Sequence, residues 1–354
     1  MNTLLRRRVL AGTLSLLALG APLPAPAQGP DAALPGAVES REAGTCGGRD
    51  ITAELAADGR LAAVEAKARA VPNGEGKLFR IEKAGLPASY LFGTMHLTDP
   101  RVQALPPQAE AAFAGADTLV IETLDVLDPA KSAAAMFAKP DLTYLPPGQT
   151  LADLLDPEEE ALVRTALDKK GVPFTAVERL QPWFVGASLM LPPCEAERAQ
   201  GGATVLDVTL AHRAGADKKA VKGLESATEQ LEAMASLPID IQVESLVSTL
   251  AFADRLPDVL ETMVNLYLDG KIAEITPVVE AAMPESASGL GSGEAYAAFE
   301  ERIVTVRNKT MIERVEPILA DGDVFVAVGS LHLPGPEGLV ELLRADGWTV
   351  TRAD

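Results

Sequence analysis

Histidine is nearly missing from this chain. Only three occur in 354 residues, at positions 96, 212 and 332. Cysteine is scarcer still, with Cys46 and Cys194 alone. No Cys-x-x-Cys pair exists and neither cysteine lies near a histidine in sequence, which argues against a Cys/His metal site. Positive charge is also short. The 31 Lys and Arg stand against 50 Asp and Glu, for a formal net charge of −19. So acidic a chain is a poor partner for nucleic acid or an anionic membrane surface. The chain has no His-Glu-x-x-His, no Gly-x-Ser-x-Gly, no phosphate-binding glycine loop with its lysine, and no Gly-x-Gly-x-x-Gly. Several familiar hydrolase and nucleotide-binding chemistries lose their usual signatures with those motifs. A Ser–His–Asp triad stays open, because its members need not be near in sequence.

Long apolar runs are absent beyond the first residues, so no later segment is expected to insert stably in a bilayer. At the start, Arg6-Arg7-Arg8 precede an apolar stretch from Val9 to Leu19 and a segment ending Ala25-Pro26-Ala27. That order of basic region, apolar region and small-residue cleavage site predicts a signal peptide over residues 1–27, cleaved near Ala27/Gln28. Either the Sec or the twin-arginine route fits, and the mature chain is expected in the periplasm or outside the cell. In an exported chain the two cysteines favour a Cys46–Cys194 bridge.

Periodicity predicts a short helix from Ile51 to Ala70, then a hairpin-like pair from Lys77 to Ile81 and Ser89 to Met95. A helix is expected after Pro106-Pro107, and a strand over Asp117 to Glu122. Residues 129–200 read as helical, including a helix from Thr175 to Met190. A helix from Thr204 to Ala214 then leads into a strand over Lys219 to Leu224. Residues 227–294 are again helical, with apolar spacing along Ile239 to Leu268, a loop at Ser286 to Gly293 and a long helix from Tyr296 to Leu319. The chain closes with strand Asp323 to Val328, helix Glu337 to Ala345 and strand Trp348 to Arg352. Strands at both ends and in the middle predict an α/β fold: a mixed β-sheet core flanked by helices, with a large helical insertion. The expected division is an N-terminal extension over 28–75 and one domain over 76–354. Its α/β core covers about 76–128, 201–226 and 295–354.

Two of the three histidines share a frame. One is Gly93-Thr94-Met95-His96 and the other Gly329-Ser330-Leu331-His332, each after a strand-like apolar run. Strand tips in an α/β sheet converge on the crevice where ligands bind. His96, Glu122, Glu225 and His332 all fall at such tips, which predicts one site built from both ends of the chain. Two imidazoles and one or two carboxylates suit a divalent transition metal, with His96, His332 and Glu122 as its ligands. The metal would lower the pKa of a bound water from ~16 to roughly 7. Glu122 or Glu225 would then serve as base, and Arg307, on the long helix with Asn308, would polarise the substrate. Asp207 is a weaker candidate, and His212 is expected at the surface. Arg179 and Trp183 read as packing residues.

The order of motifs resembles the TraB/GumN family, which also includes the Tiki membrane metalloproteases. The resemblance rests on Ser89-Tyr-Leu-Phe-Gly-Thr-Met-His96, Asp99-Pro100, Leu119-Val-Ile-Glu122 and Leu145-Pro-Pro-Gly-Gln-Thr-Leu151. It continues through Arg179-Leu-Gln-Pro-Trp183, Gly223-Leu-Glu-Ser226, Arg307-Asn308 and Val328-Gly-Ser-Leu-His332, and covers roughly residues 76–354. It implies a fold shared with erythromycin esterase-like and ChaN-like proteins, and a metal-dependent hydrolase site on His96, His332 and Glu122. The family often carries His or Tyr shortly after the position of Asp207. This chain has Thr209, which lowers the expectation for that region. The first functional expectation is therefore an exported peptidase with a zinc, manganese or cobalt ion, acting on a peptide or small-molecule substrate. The alternatives are a metal-free, esterase-like hydrolase with His96 as general base, and a periplasmic protein that binds haem or another ligand.

Overall fold

A computed structural model describes residues 46–190, 192–251, 253–282 and 298–354. The expected signal peptide and the Ser286 to Gly293 loop lie outside the described residues. Six strands form one sheet: β1 (Leu78–Glu82), β2 (Ser89–Thr94), β3 (Thr118–Thr123), β4 (Ala220–Glu225), β5 (Val324–Gly329) and β6 (Thr349–Arg352). Their order is β4-β3-β5-β2-β1-β6. β4, β3, β5 and β2 run parallel, and β1 pairs antiparallel with both β2 and β6. The fold is thus the expected α/β class, a mixed sheet flanked by helices.

The helices, in chain order, are α1 (Thr52–Ala57), α2 (Leu61–Arg69), α3 (Pro107–Gly115), α4 (Pro129–Ala138), α5 (Pro157–Lys169), α6 (Pro182–Met190) and α7 (Pro193–Gln200). They continue as α8 (Leu206–Ala216), α9 (Ala227–Ala235), α10 (Ile239–Ala251), α11 (Leu256–Leu268), α12 (Ile275–Ala282), α13 (Val306–Leu319) and α14 (Leu339–Ala345). Two expected helices are each broken in two. The first divides at Gly59, whose φ of +81° lies in the left-handed region that a helix does not use. The second divides ahead of Pro257, which cannot continue a helix begun upstream. The helix expected from Thr175 starts only at Pro182, since Gln181 before the proline is held out of helical conformation.

Every residue of β5 is buried, and β3 is buried after its first residue. Such near-continuous apolar runs belong to strands covered on both faces. Side chains alternate between those faces. Leu119, Ile121, Phe325 and Ala327 pack beneath α3 and α8, where Phe113 meets Phe325 edge to face. Val120, Val326 and Val328 pack against Met311 and Leu319 of α13 and Val340 of α14. The helical regions build cores of their own. One joins α5, α6, α9 and α10, and the other joins α1, α2, α11 and α12. The second also takes in Met95, Leu97 and Val102, which flank His96.

Connectivity explains how the ends of the chain meet. β2 and β3 follow each other in sequence but are not neighbours in the sheet, and β5 from the far end fills the slot between them. The second Gly-x-x-His unit therefore lands between the strand that leads to His96 and the strand that carries Glu122. Cys46 and Cys194 are bonded, with Cα atoms 5.6 Å apart across a separation of 148 residues. Closing so long a loop stabilises by about 5 kcal/mol in the chain-entropy account. Among the described residues no helix is long and apolar enough to cross a membrane.

Candidate active site

Four parallel strands end at one edge of the sheet, and the candidate residues follow from them. His96 lies two residues past β2, at the apex of a tight turn in which Leu97 N–H donates to Met95 O at 2.8 Å. Glu122 is the penultimate residue of β3 and Glu225 ends β4. His332 is not on a strand tip as such, because β5 ends at Gly329 and a 3-10 turn over Ser330–His332 carries it. Arg307 and Asn308 sit in the first turn of α13, behind a π-helical stretch over Glu300–Thr305. The structure brings His96, Glu122, Glu225, Arg307 and His332 together; four of them are buried and His96 is nearly so.

Glu122 is the hub. Its Oε1 accepts from Gly329 N–H at 2.7 Å and lies 3.4 Å from His96 Nε2 and 3.8 Å from His332 Nε2. Its Oε2 accepts from Arg307 Nη2 at 2.6 Å and from Gln230 Nε2 at 3.1 Å. Burial alone would raise the Glu122 carboxyl, but the Arg307 charge and then the two imidazoles hold it well below the usual carboxylate range. Arg307 also grips Glu225, through Nε at 3.1 Å and Nη2 at 2.7 Å, and its Nη1 donates to Ile303 O at 3.3 Å. Glu225 moves the other way. Its burial outweighs the guanidinium and pushes its carboxyl up. The arginine therefore faces two glutamates and not the surface acids Glu301 or Glu313.

The two imidazoles are driven apart. His332 Nδ1 lies 2.6 Å from Asn308 Oδ1, while Asn308 Nδ2 donates to Glu337 O at 2.8 Å and His332 O at 3.3 Å. The amide orientation thus assigns the Nδ1–H tautomer and leaves a lone pair on Nε2. Burial and the nearby Arg307 charge hold His332 neutral, down to about 3. His96 sits between two acids. Burial would lower it, but Asp207, 3.2 Å from Nδ1, and Glu122 at Nε2 together push it up to about 10. The His96 Nδ1 and Asp207 Oδ2 atoms are buried and off the line of a true hydrogen bond, so the contact is an ion pair. Asp207 Oδ1 in turn accepts from Thr94 Oγ1 at 3.1 Å.

Asp207 carries more of this site than the Thr209 departure led one to expect. A signal for it was present. Leu210, Ala211 and Ala214 follow it at three, four and seven residues and are buried with it on α8, so the acid lies in phase with the apolar stripe. Gln230 carried no such signal. His212, on the other face of α8, is exposed as expected.

Both motif glycines are required by close approach. A Cβ on Gly93 would meet Ser330 Cα at 2.9 Å, so the two Gly-x-x-His turns pack backbone against backbone. A Cβ on Gly329 would lie 3.1 Å from His96 Nε2 and 3.2 Å from Glu122 Oε1. Gly329→Ala is accordingly expected to retain its fold by circular dichroism and, if the cluster is catalytic, to lower kcat/KM about a hundredfold, since the methyl group displaces His96 and Glu122. Activity near wild type would mean that the His96–Glu122 contact is not used.

The expected metal site is not borne out. Among the described residues no group of three or more His, Cys, Asp or Glu side chains is disposed to hold a metal ion. The physical reason lies in the partners of the proposed ligands. Both oxygens of Glu122 are engaged, one by a guanidinium whose positive charge occupies the place a cation would take. His96 is paired with two carboxylates that favour its protonated form, which has no lone pair to offer at Nε2. His96, His332 and Glu122 do not fit as a zinc, manganese or cobalt ligand set, and the expectation of a metal-dependent peptidase falls with them.

What fold and site define is an α/β protein with a buried histidine–carboxylate–arginine cluster at the carboxyl ends of its parallel strands. The chain belongs to the TraB/PrgY/gumN family, whose profile it matches over residues 77–352. It is 26% identical to Metalloprotease TIKI1 of Danio rerio over 306 residues, covering 75% of this chain and 60% of that protein. It is 25% identical to Metalloprotease TIKI2 of Xenopus tropicalis over 308 residues, covering 75% and 57%, and 24% identical to human Metalloprotease TIKI1 over 311 residues, covering 75% and 60%. The chain thus spans about 60% of the length of these relatives. No solved structure matches.

Proposed function

We propose that the protein is an exported hydrolase of ester or peptide substrates that works without a bound metal, with His96 as general base. The observation that carries this reading is the Asp207–His96–Glu122 arrangement. Asp207 lies at Nδ1 of the ring and raises its basicity, and Nε2 lies beside Glu122 Oε1 and the Gly329 backbone. Deprotonated His96 takes a proton through Nε2 from the water whose oxygen bonds the substrate carbonyl carbon, and as the ester C–O or amide C–N bond breaks the imidazolium returns that proton to the departing alcohol or amine. Glu122 holds the resulting imidazolium, and neutral His332, fixed by Asn308, lies 3.8 Å from the same carboxylate oxygen. Arg307 acts by holding Glu122 and Glu225, since its N–H groups point to them and to Ile303 O. Export follows from the expected signal peptide over residues 1–27, and the substrate class from the esterase-like resemblance.

The test is turnover of a panel of chromogenic esters and peptide amides by protein dialysed against a strong chelator. Turnover is expected to survive the chelator and to vanish in His96→Ala. Loss of activity with the chelator and its return with added metal would overturn the reading. The pH dependence has a definite sign. A base pushed up to about 10 is mostly protonated at neutrality, so its active form grows tenfold per pH unit below that value. The logarithm of kcat/KM is expected to rise with slope near one and level off near pH 10. A flat profile through neutrality would instead assign the base to His332, which is held neutral down to about 3.

A further inference from the structure

The stretch that follows His96 is gripped from two sides. On one side is Glu195 of α7, which is only 4% exposed. Its Oε2 accepts from Thr98 N–H at 2.6 Å and from Thr98 Oγ1 at 2.7 Å, and its Oε1 accepts from Arg198 Nη1 at 2.5 Å. A buried carboxylate that accepts two hydrogen bonds from one residue fixes both the backbone and the side chain of that residue. Thr98 lies two positions beyond His96, and the His96 turn has no regular structure of its own. On the other side is α11. Arg101 pairs with Glu261 through Nη1 at 2.7 Å and Nη2 at 2.8 Å.

The cystine joins these two supports. Cys194 is the residue before Glu195. Its partner Cys46 begins a segment seated on α11, where Arg49 N–H donates to Asp258 Oδ1 and Ile51 N–H donates to Thr262 Oγ1, each at 2.9 Å. Gly48 lies against the Pro257 carbonyl so closely that a Cβ there would overlap it. The covalent bond therefore ties the helix that holds Thr98 to the helix that holds Arg101.

We propose that Glu195 is a positioning residue for His96, acting through Thr98, and that the Cys46–Cys194 bond keeps this clamp in register with α11. The proposal rests on the proposed role of His96 in hydrolysis, but its geometric core does not require turnover. Three histidines make the readout simple. In protein labelled with 15N-histidine, ring proton–nitrogen spectra contain His96, His332 and the exposed His212 as an internal reference.

Glu195→Ala is expected to move the His96 ring signals and leave those of His332 and His212 in place. It is expected to lower kcat by about tenfold or more with KM little changed, because a small misplacement of the base acts on chemistry and not on binding. Glu195→Gln, which keeps an acceptor for Thr98, should restore both. Cys46→Ser with Cys194→Ser should move the same His96 signals as Glu195→Ala. His96 signals that superimpose on wild type in a folded Glu195→Ala protein would overturn the proposal. If that variant fails to fold, Thr98→Val, which deletes the hydroxyl contact alone, decides: moved His96 signals support the clamp and unmoved ones overturn it. Should no substrate be turned over at all, the spectra still decide the positioning role, while the hydrolase reading fails separately.

Discussion

Arg307→Met is expected to destabilise the fold by about 3–5 kcal/mol, read as a fall in the urea midpoint at unchanged slope. The guanidinium is buried and serves two carboxylates, with Glu122 Oε2 at 2.6 Å and Glu225 Oε2 at 2.7 Å. Removing it leaves Glu225 buried without a counter-charge and Glu122 with the His96 imidazolium alone. The desolvation cost of those groups was met in large part by their attraction to the arginine. The same account predicts recovery. Adding Glu225→Gln to Arg307→Met removes one of the stranded charges and should return part of the loss. A change below about 1 kcal/mol in the single variant would show that water reaches the cluster and screens it as it does a surface pair.

The second large effect is catalytic. His96→Ala should lower kcat/KM by about 10²–10⁴, the span of general base contributions. What remains should also lose the alkaline rise in rate, because the group that titrates near pH 10 is gone. His332→Ala serves as the contrast. It removes a neutral ring held by Asn308, and on the proposed reading it leaves the slope of the pH profile intact while lowering its height. If His96→Ala kept both the rate and the slope, the base would have to be sought elsewhere among the described residues.

Much of this site is legible in the sequence. The paired Gly-x-x-His frames, each behind an apolar run, marked two strand ends. Glu122 near the end of β3 and Glu225 at the end of β4 marked two more, and in a parallel sheet such ends share one edge. Arg307 drew attention by its residue type, yet its partners were not readable. A surface acid six residues away, Glu301 or Glu313, was as good a guess as Glu122 and Glu225, which lie 185 and 82 residues distant. The metal expectation failed for the same reason. Counting imidazoles and carboxylates identifies donors that a metal would accept, but it does not show which are already committed. Glu122 is committed at both oxygens, and His96 is paired at both ring nitrogens.

From its amino acids alone this chain is an acidic α/β protein with two strand-tip histidines and a pair of cysteines apt to bond. Those features follow from short-range physics: apolar periodicity, turn-forming glycines and prolines, and the chemistry of the residue types. Tertiary structure alone decided that β5 slots between β2 and β3, that Asp207 rather than a metal sets the state of His96, and that one guanidinium neutralises two glutamates. Electrostatic energy depends on distance and burial in space, and neither can be read from positions along a chain.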